Sequence, residues 1–311
     1  MVQYISVARK PSQAAVAQSV ERRIGSAEVT GPIPVSSLKI PDVHQGFFVH
    51  VDVVICPFNG NDQEMDGGYM EKEVSARLKL KKPYIQVRRN SGELTYGGDQ
   101  GFFRGGSGPT DARKNAMGCG VIAFSDLLLY LGNRDPKKIT AESENYVNRL
   151  NGENAYKEYY NCIYEFLGGV SKRSGISGIK LAMKFNRLSR REKWNLRAFW
   201  GISARKLYGR VEEMLSKDMP VILCIPMILF RKNKKEGLTF YRMENGKMQK
   251  AATVSAHYVM VTEIVEERES GNPFFVISSW GKEYYVNWKE YETMMRRNFL
   301  GTILGNILYI R

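Results

Sequence analysis

This 311-residue chain predicts an α+β fold, with helices first and an antiparallel sheet afterwards. Three observations carry that expectation. Helical spacing of apolar residues dominates up to about residue 217. Short, β-branched and aromatic runs dominate from residue 221 onward. Between them, one almost uniformly apolar run of helical length, residues 121–131, is suited to the centre of a core.

Taken in order, Pro83-Tyr84-Ile85-Gln86-Val87 reads as a short strand. Residues 96–109 form a glycine-rich loop. It lacks the Lys-Ser/Thr pair of a P-loop and the strand–helix context of a dinucleotide fingerprint, so a phosphate cradle is not expected. The central helix begins at Gly118-Cys119-Gly120. Val121, Ile122, Phe124, Leu127, Leu128 and Leu131 leave it few polar positions, so it should be buried on most sides. Residues 140–167 read as helices carrying Tyr146, Leu150, Tyr156, Tyr160, Ile163, Phe166 and Leu167 at helical spacing. Gly168-Gly169 and the segment to 178 interrupt the pattern. Residues 179–188 form a further helix with Ile179, Met183 and Leu188 inward. A helix over 203–217 buries Leu207, Val211, Met214 and Leu215, and Asp218-Met219-Pro220 ends it. Residues 221–225 are a buried strand with Cys224 in the core, and 231–237 a charged turn. Strands follow at 238–243, 257–265, 274–280 and 283–286. A short helix at 288–296 and a last strand within 301–310 close the chain.

Composition narrows the function classes. Hydrophobic residues make up 43% and the net charge is +14. Residues 1–69 hold 5 Lys+Arg against 7 Asp+Glu, so the positive excess lies after them. Basic clusters stand at 187–193 and 231–235. They are either solvated surface or the footprint of an anionic polymer, and nucleic acid is not the expected partner. Cys56, Cys119, Cys162 and Cys224 show no metal or disulfide-framework spacing, so no metal or organic cofactor is expected. The apolar runs are too short to span a bilayer and no signal peptide is evident, which makes a cytoplasmic protein the expectation.

Residues 1–69 resemble something other than protein. Val16-Ala17-Gln18-Ser19-Val20-Glu21-Arg22 and Val29-Thr30-Gly31-Pro32-Ile33-Pro34-Val35 read like the D-arm and TψC-arm of a translated bacterial tRNA gene. Asp66-Gly67-Gly68-Tyr69-Met70 can be encoded by a ribosome-binding sequence ahead of a start codon. The expectation is a non-native or disordered extension over 1–69, with Met70 the biological start and 70–311 the folded domain. His44, His50 and Cys56 therefore carry no weight as site residues.

The chemistry centres on Cys119 and His257. A cysteine in the first turn of a helix faces unpaired N–H groups and the positive end of the dipole, which favour thiolate. The alternative is a small core thiol. His257 is the one histidine after residue 50 and heads a strand behind the small residues Ser255 and Ala256. It follows Cys119 by 138 residues, inside the roughly 130–150 residue interval of papain-type enzymes.

Three segments carry a resemblance to the papain-fold cysteine peptidases, nearest the branch that processes bacteriocin leaders. They are Gly118-Cys119-Gly120 opening a buried helix, Ala256-His257-Tyr258-Val259-Met260-Val261 after Asp218-Met219-Pro220, and Ser278-Ser279-Trp280-Gly281-Lys282. The resemblance spans about residues 96–291. It implies a helical lobe holding the nucleophile Cys119 and a sheet lobe holding His257 as general acid/base. Ser278 takes the position that orients the imidazole, where the family usually has Asn or Asp. The family's oxyanion glutamine, six residues before the cysteine, is replaced by Arg113, so Gln100 is the preferred substitute and Asn115 the alternative. The implied activity is hydrolysis of a peptide or amide bond in a peptide or protein substrate. A catalytically silent module binding peptide or an anionic polymer, and an acyltransferase of the transglutaminase kind, remain the rival readings.

Overall fold

The computed structural model describes residues 74–311 apart from 107, 149–151, 172–174, 227–236, 246, 268–269, 297–301 and 304. The extension expected at 1–69 and the basic turn at 231–235 lie outside the described residues. The architecture is mixed, with helices packed on an antiparallel sheet.

The helices are α1 (Pro109–Met117), α2 (Cys119–Arg134), α3 (Ala141–Asn148), α4 (Glu153–Leu167), α5 (Gly178–Arg191), α6 (Leu207–Ser216) and α7 (Trp288–Arg296). The strands are β1 (Val74–Lys79), β2 (Ala198–Trp200), β3 (Val221–Ile225), β4 (Leu238–Glu244), β5 (Lys247–Val254), β6 (His257–Glu267), β7 (Pro273–Ser279), β8 (Lys282–Asn287) and β9 (Ile307–Ile310). The sheet runs β2-β9-β3-β6-β7-β8-β4-β5, with β1 also on β6. β6 is its spine, because β3 pairs with its first half and β1 with its second. That length places His257 at one end of the strand, opposite Ile225.

Helix α2 packs against β6 and β3 on one side and α4 on the other. Its residues from Gly120 through Gly132 are all buried, as a helix without a polar stripe requires. Asp218, in a left-handed turn after α6, ties α2 to the chain before it. It accepts from Tyr130 Oη at 2.5 Å and from the Lys81 backbone N–H at 2.7 Å.

Several expectations need correction. Residues 83–87 form no strand. Pro83 has no N–H to give a ladder, and the segment is tied instead by bonds such as Gly97 N to Ile85 O at 2.7 Å and Thr95 N to Val87 O at 2.9 Å. In α5, Ile179 and Met183 are 50% and 60% exposed, while Leu181, Phe185 and Leu188 are buried. The helix has two apolar registers. The one through Ile179 and Met183 continues into Asn186, Arg187 and Arg190, whereas the one through Leu181 continues into Phe185 and Leu188. The continuous stripe faces the core. Of residues 301–310, strand covers only β9. The polar helix α1, the short strands β1 and β2, and the lysine-bearing edge strand β5 were not foreseen.

Candidate functional site

Helices α1 and α2 meet at 74° across Gly118. A Cβ on Gly118 would lie 2.2 Å from the Lys114 carbonyl oxygen and 2.4 Å from Tyr160 Oη, so only glycine permits this crossing. The bend makes Cys119 the first residue of α2, and the Val121 and Ile122 N–H groups bond the Gly118 carbonyl at 2.9 Å. Cys119 is half-buried, and Cys119, Cys162 and Cys224 are all free thiols. Cys224 is buried in β3, and burial pushes its thiol up to about 12.

At positions 119, 122, 123 and 126 one face of α2 lines a narrow cavity of about 10 Å³. His257, Tyr258, Val259 and Met260 of β6 form the opposite wall, with Ser278, Ser279 and Trp280 of the next strand and turn. Gly98 and Gln100 close it from the glycine-rich loop. Cys119, His257, Ser278 and Gln100 are thus brought to one cavity. Arg113 and Asn115 are not on its wall.

The hydroxyl on the imidazole is that of Ser279, not Ser278. Ser279 Oγ lies 2.8 Å from His257 Nε2. Ser278 Oγ instead donates to the Tyr96 carbonyl at 2.7 Å, pinning the glycine-rich loop. Adjacent residues of a strand point to opposite faces, so only one of the two serines can meet the ring. Ser279 is the weaker kind of orienting group. A hydroxyl can donate or accept, so it does not by itself choose between the ring tautomers as a carboxylate does.

Trp280 supplies the second restraint. Its ring stacks on His257 with centroids 4.6 Å apart and planes at 21°, and it is held from behind by Phe240 and Tyr284. Trp280 and Gly281 form the two-residue turn joining β7 to β8, both with positive φ, at 49° and 69°. Such a turn selects for Asn-Gly, and a bulky residue in the left-handed region costs about 1–2 kcal/mol. The stack over His257 is what that cost secures.

His257 is 8% exposed. Burial lowers its pKa from the usual 6.5 to about 3, so the imidazole is neutral at neutral pH. Gln100 is buried, and its Nε2 donates to the Asn115 carbonyl at 2.8 Å, leaving the second N–H of that amide for another acceptor.

Asp126 was not foreseen. It is the one charged residue in the apolar run 116–131, and that isolation was the available signal. Its carboxylate accepts from Tyr156 Oη at 2.6 Å, the Gly98 N–H at 2.9 Å and Tyr84 Oη at 3.1 Å. Burial raises its pKa to about 6 against the lowering effect of those bonds.

The cavity therefore presents a thiol, a neutral imidazole with a hydroxyl behind it, a carboxamide and a buried carboxylate. That set suits attack on a carbonyl carbon with proton transfer by the ring. No cluster of three or more metal-ligating side chains occurs among the described residues. No single helix among them is long and apolar enough to cross a membrane. No protein-family model, curated protein or solved structure matches this chain.

Proposed function

We propose that the chain is a cysteine-type amide hydrolase of papain-like architecture, acting on a peptide or protein substrate. The observation that carries this reading is that Cys119 and His257, 138 residues apart, face one cavity with Gln100 beside them. Cys119 Sγ attacks the carbonyl carbon while His257 takes the thiol proton, and the oxygen becomes an oxyanion. The free N–H of Gln100 and the Cys119 backbone N–H are the donors proposed to receive that charge. The tetrahedral intermediate collapses to a thioester as His257 returns the proton to the leaving amine. Water then adds to the thioester with His257 as base, releasing the acid and the thiol. Since the ring is neutral at rest, its task is to take the proton during attack rather than to hold a standing ion pair.

A peptide carrying an acyloxymethyl ketone tests the assignment. It should label the chain at Cys119 and fail to label Cys119→Ala of unchanged circular dichroism. Equal labelling of that variant would sink the reading. Product analysis with an added primary amine separates hydrolysis from acyl transfer.

The narrowness of the cavity and the hydroxyl in place of a carboxylate favour the second reading, a silent module that binds a peptide or an anionic polymer. The basic residues give that reading modest support. Arg190 and Arg191 sit in the last turn of α5, where the helix dipole favours cations without any partner. Binding of polyglutamate that weakens steeply with salt, together with no Cys119 labelling, would select the silent module.

A further inference from the structure

Three donors from three different parts of the chain converge on one buried carboxylate two helical turns beyond Cys119. Tyr84 lies before the glycine-rich loop, Gly98 within it and Tyr156 on α4. No cation partners Asp126 among its hydrogen-bonding neighbours, so its burial is not explained by an ion pair. A core position on α2 flanked by Ser125 and Leu127 would be cheaper to fill with an aliphatic side chain. What the carboxylate provides is a seat for the loop. Gly98 N–H points onto Asp126 Oδ2, and Gln100 follows two residues later. The fit is close, since a Cβ on Gly97 would lie 2.2 Å from Ser278 Oγ and 2.7 Å from Asp126 Oδ2. Ser278 clamps the same loop from β7 through Tyr96, and Arg89 on Asp99 at 2.5 Å braces its far side.

We infer that Asp126 is a positioning residue. By holding the Gly97–Gly98 backbone against the nucleophile helix it sets the Gln100 carboxamide at the site where carbonyl oxygen becomes oxyanion. The inference rests on the hydrolase reading and goes beyond it by assigning a task to a residue outside the reacting cysteine–histidine pair. A misplacement of about 1 Å at an oxyanion donor costs on the order of a hundredfold in rate, so a dedicated anchor for the loop has a large effect to secure.

Two reactions of Cys119 separate this role from a structural one. Acylation by p-nitrophenyl acetate passes through a tetrahedral oxyanion. Alkylation by iodoacetamide is a direct displacement at saturated carbon and forms none. Both are followed as the part of the rate that Cys119→Ala abolishes. Asp126→Ala should slow acylation by about 10–100-fold while alkylation is unchanged. Asp126→Asn should restore acylation, because its Oδ1 can take the Gly98 N–H while Nδ2 donates to Tyr156 oxygen. Gly97→Ala, which unseats the loop by pressing its Cβ onto Ser278 Oγ and Asp126 Oδ2 while Asp126 itself is retained, should reproduce the selective loss even if Asp126→Ala does not fold. In a Gln100→Ala background, Asp126→Ala should cost nothing further. Acylation undiminished in both Asp126→Ala and Gly97→Ala would overturn the positioning role and leave the hydrolase reading standing, as would an equal fall in both reactions. A wild-type chain with no Cys119-dependent acylation would remove the hydrolase reading itself, and this inference with it.

Discussion

The neutral state of His257 is the most exposed step of the mechanism, and it can be tested through stability as well as reactivity. Burial moves the ring from its usual 6.5 to about 3, a difference worth about 5 kcal/mol between the two protonation states. In the unfolded chain the ring takes up a proton below pH 6.5, whereas in the fold it does so only near pH 3. The unfolded state therefore binds the extra proton throughout that window. Stability from this group is full above pH 6.5 and is lost as pH falls to 3. Asp126 behaves in the opposite sense. Its folded pKa of about 6 lies above the ordinary 3.8, so the fold holds the proton more tightly. Its burial costs nothing below pH 3.8 and about 3 kcal/mol above pH 6. Between about pH 4 and 6 the two groups oppose each other, and the wild-type curve should look flatter than either alone.

The perturbation is His257→Gln, and the assay is urea unfolding of wild type and variant at one-unit steps from pH 4 to 8. The stability difference between the two chains should narrow by about 3 kcal/mol as pH falls from 7 to 4, since most of the 5 kcal/mol window is crossed there. Over the same range the His257 ring resonances, assigned by their loss in the variant, should not titrate. Iodoacetamide alkylation of Cys119 should lack the acid-side plateau of a thiolate–imidazolium pair. A stability difference independent of pH, or a His257 resonance titrating near 6.5, would refute the burial argument and restore the resting ion pair.

Three further outcomes follow from contacts at the cavity. Ser279→Ala should lower Cys119-dependent acylation by about tenfold or more through loss of ring orientation. Ser278→Ala should cost about 1–2 kcal/mol of stability by leaving the Tyr96 carbonyl unpaired, with a smaller effect on rate. A reversed ranking in burst kinetics would restore Ser278 as the orienting residue. Trp280→Gly should relieve the left-handed turn by about 1 kcal/mol yet destabilise the chain overall by about 1–3 kcal/mol in thermal unfolding, because the lost packing outweighs the relief. Gly118→Ala should cost about 2–3 kcal/mol in urea unfolding, because the contact at 2.2 Å is with a backbone oxygen that cannot rotate away.

What the sequence disclosed depended on whether the deciding interaction was local. The apolar run of α2, the stripe of Leu207, Val211, Met214 and Leu215 in α6, and α7 at residues 288–296 follow from spacing alone, and the structure matches them. The β-rich second half follows from residue type, while the pairing of β9 with β2 and β3, Ala198 opposite Ile310 and Ile222 opposite Leu308, joins distant strands and leaves no local trace. Strand β5 was overlooked because Lys247, Gln249 and Lys250 suit an unpaired edge, where polar side chains discourage association. At the site, the spacing of Cys119 and His257 prompted the expectation of a shared site, and both residues line one cavity. The choice between Ser278 and Ser279 was not legible, because a shift of one residue in register exchanges the faces of a strand. The depression of the His257 pKa is likewise invisible in sequence, since it depends on how completely other segments cover the ring.

Three of this chain's departures from local rules fall together, while others, such as left-handed Lys193 and the buried left-handed Asp218, lie elsewhere. A tryptophan occupies a left-handed turn position that suits asparagine, a lone aspartate stands in an apolar helix, and a histidine is buried without a charged partner. The turn is unfavourable by about 1–2 kcal/mol and the Asp126 carboxylate by about 3 kcal/mol above pH 6, while His257 is unfavourable only as pH falls below 6.5. Trp280, Asp126 and His257 all line the cavity that Cys119 faces. Natural chains keep such conflicts where function requires them and remove them elsewhere. This argument is separate from the spacing of cysteine and histidine, and it supports a working site even where the orienting residue departs from the usual amide or carboxylate. It also fixes what a silent module would have to explain, namely why a chain that only binds would retain a left-handed tryptophan and a buried carboxylate beside a half-buried thiol.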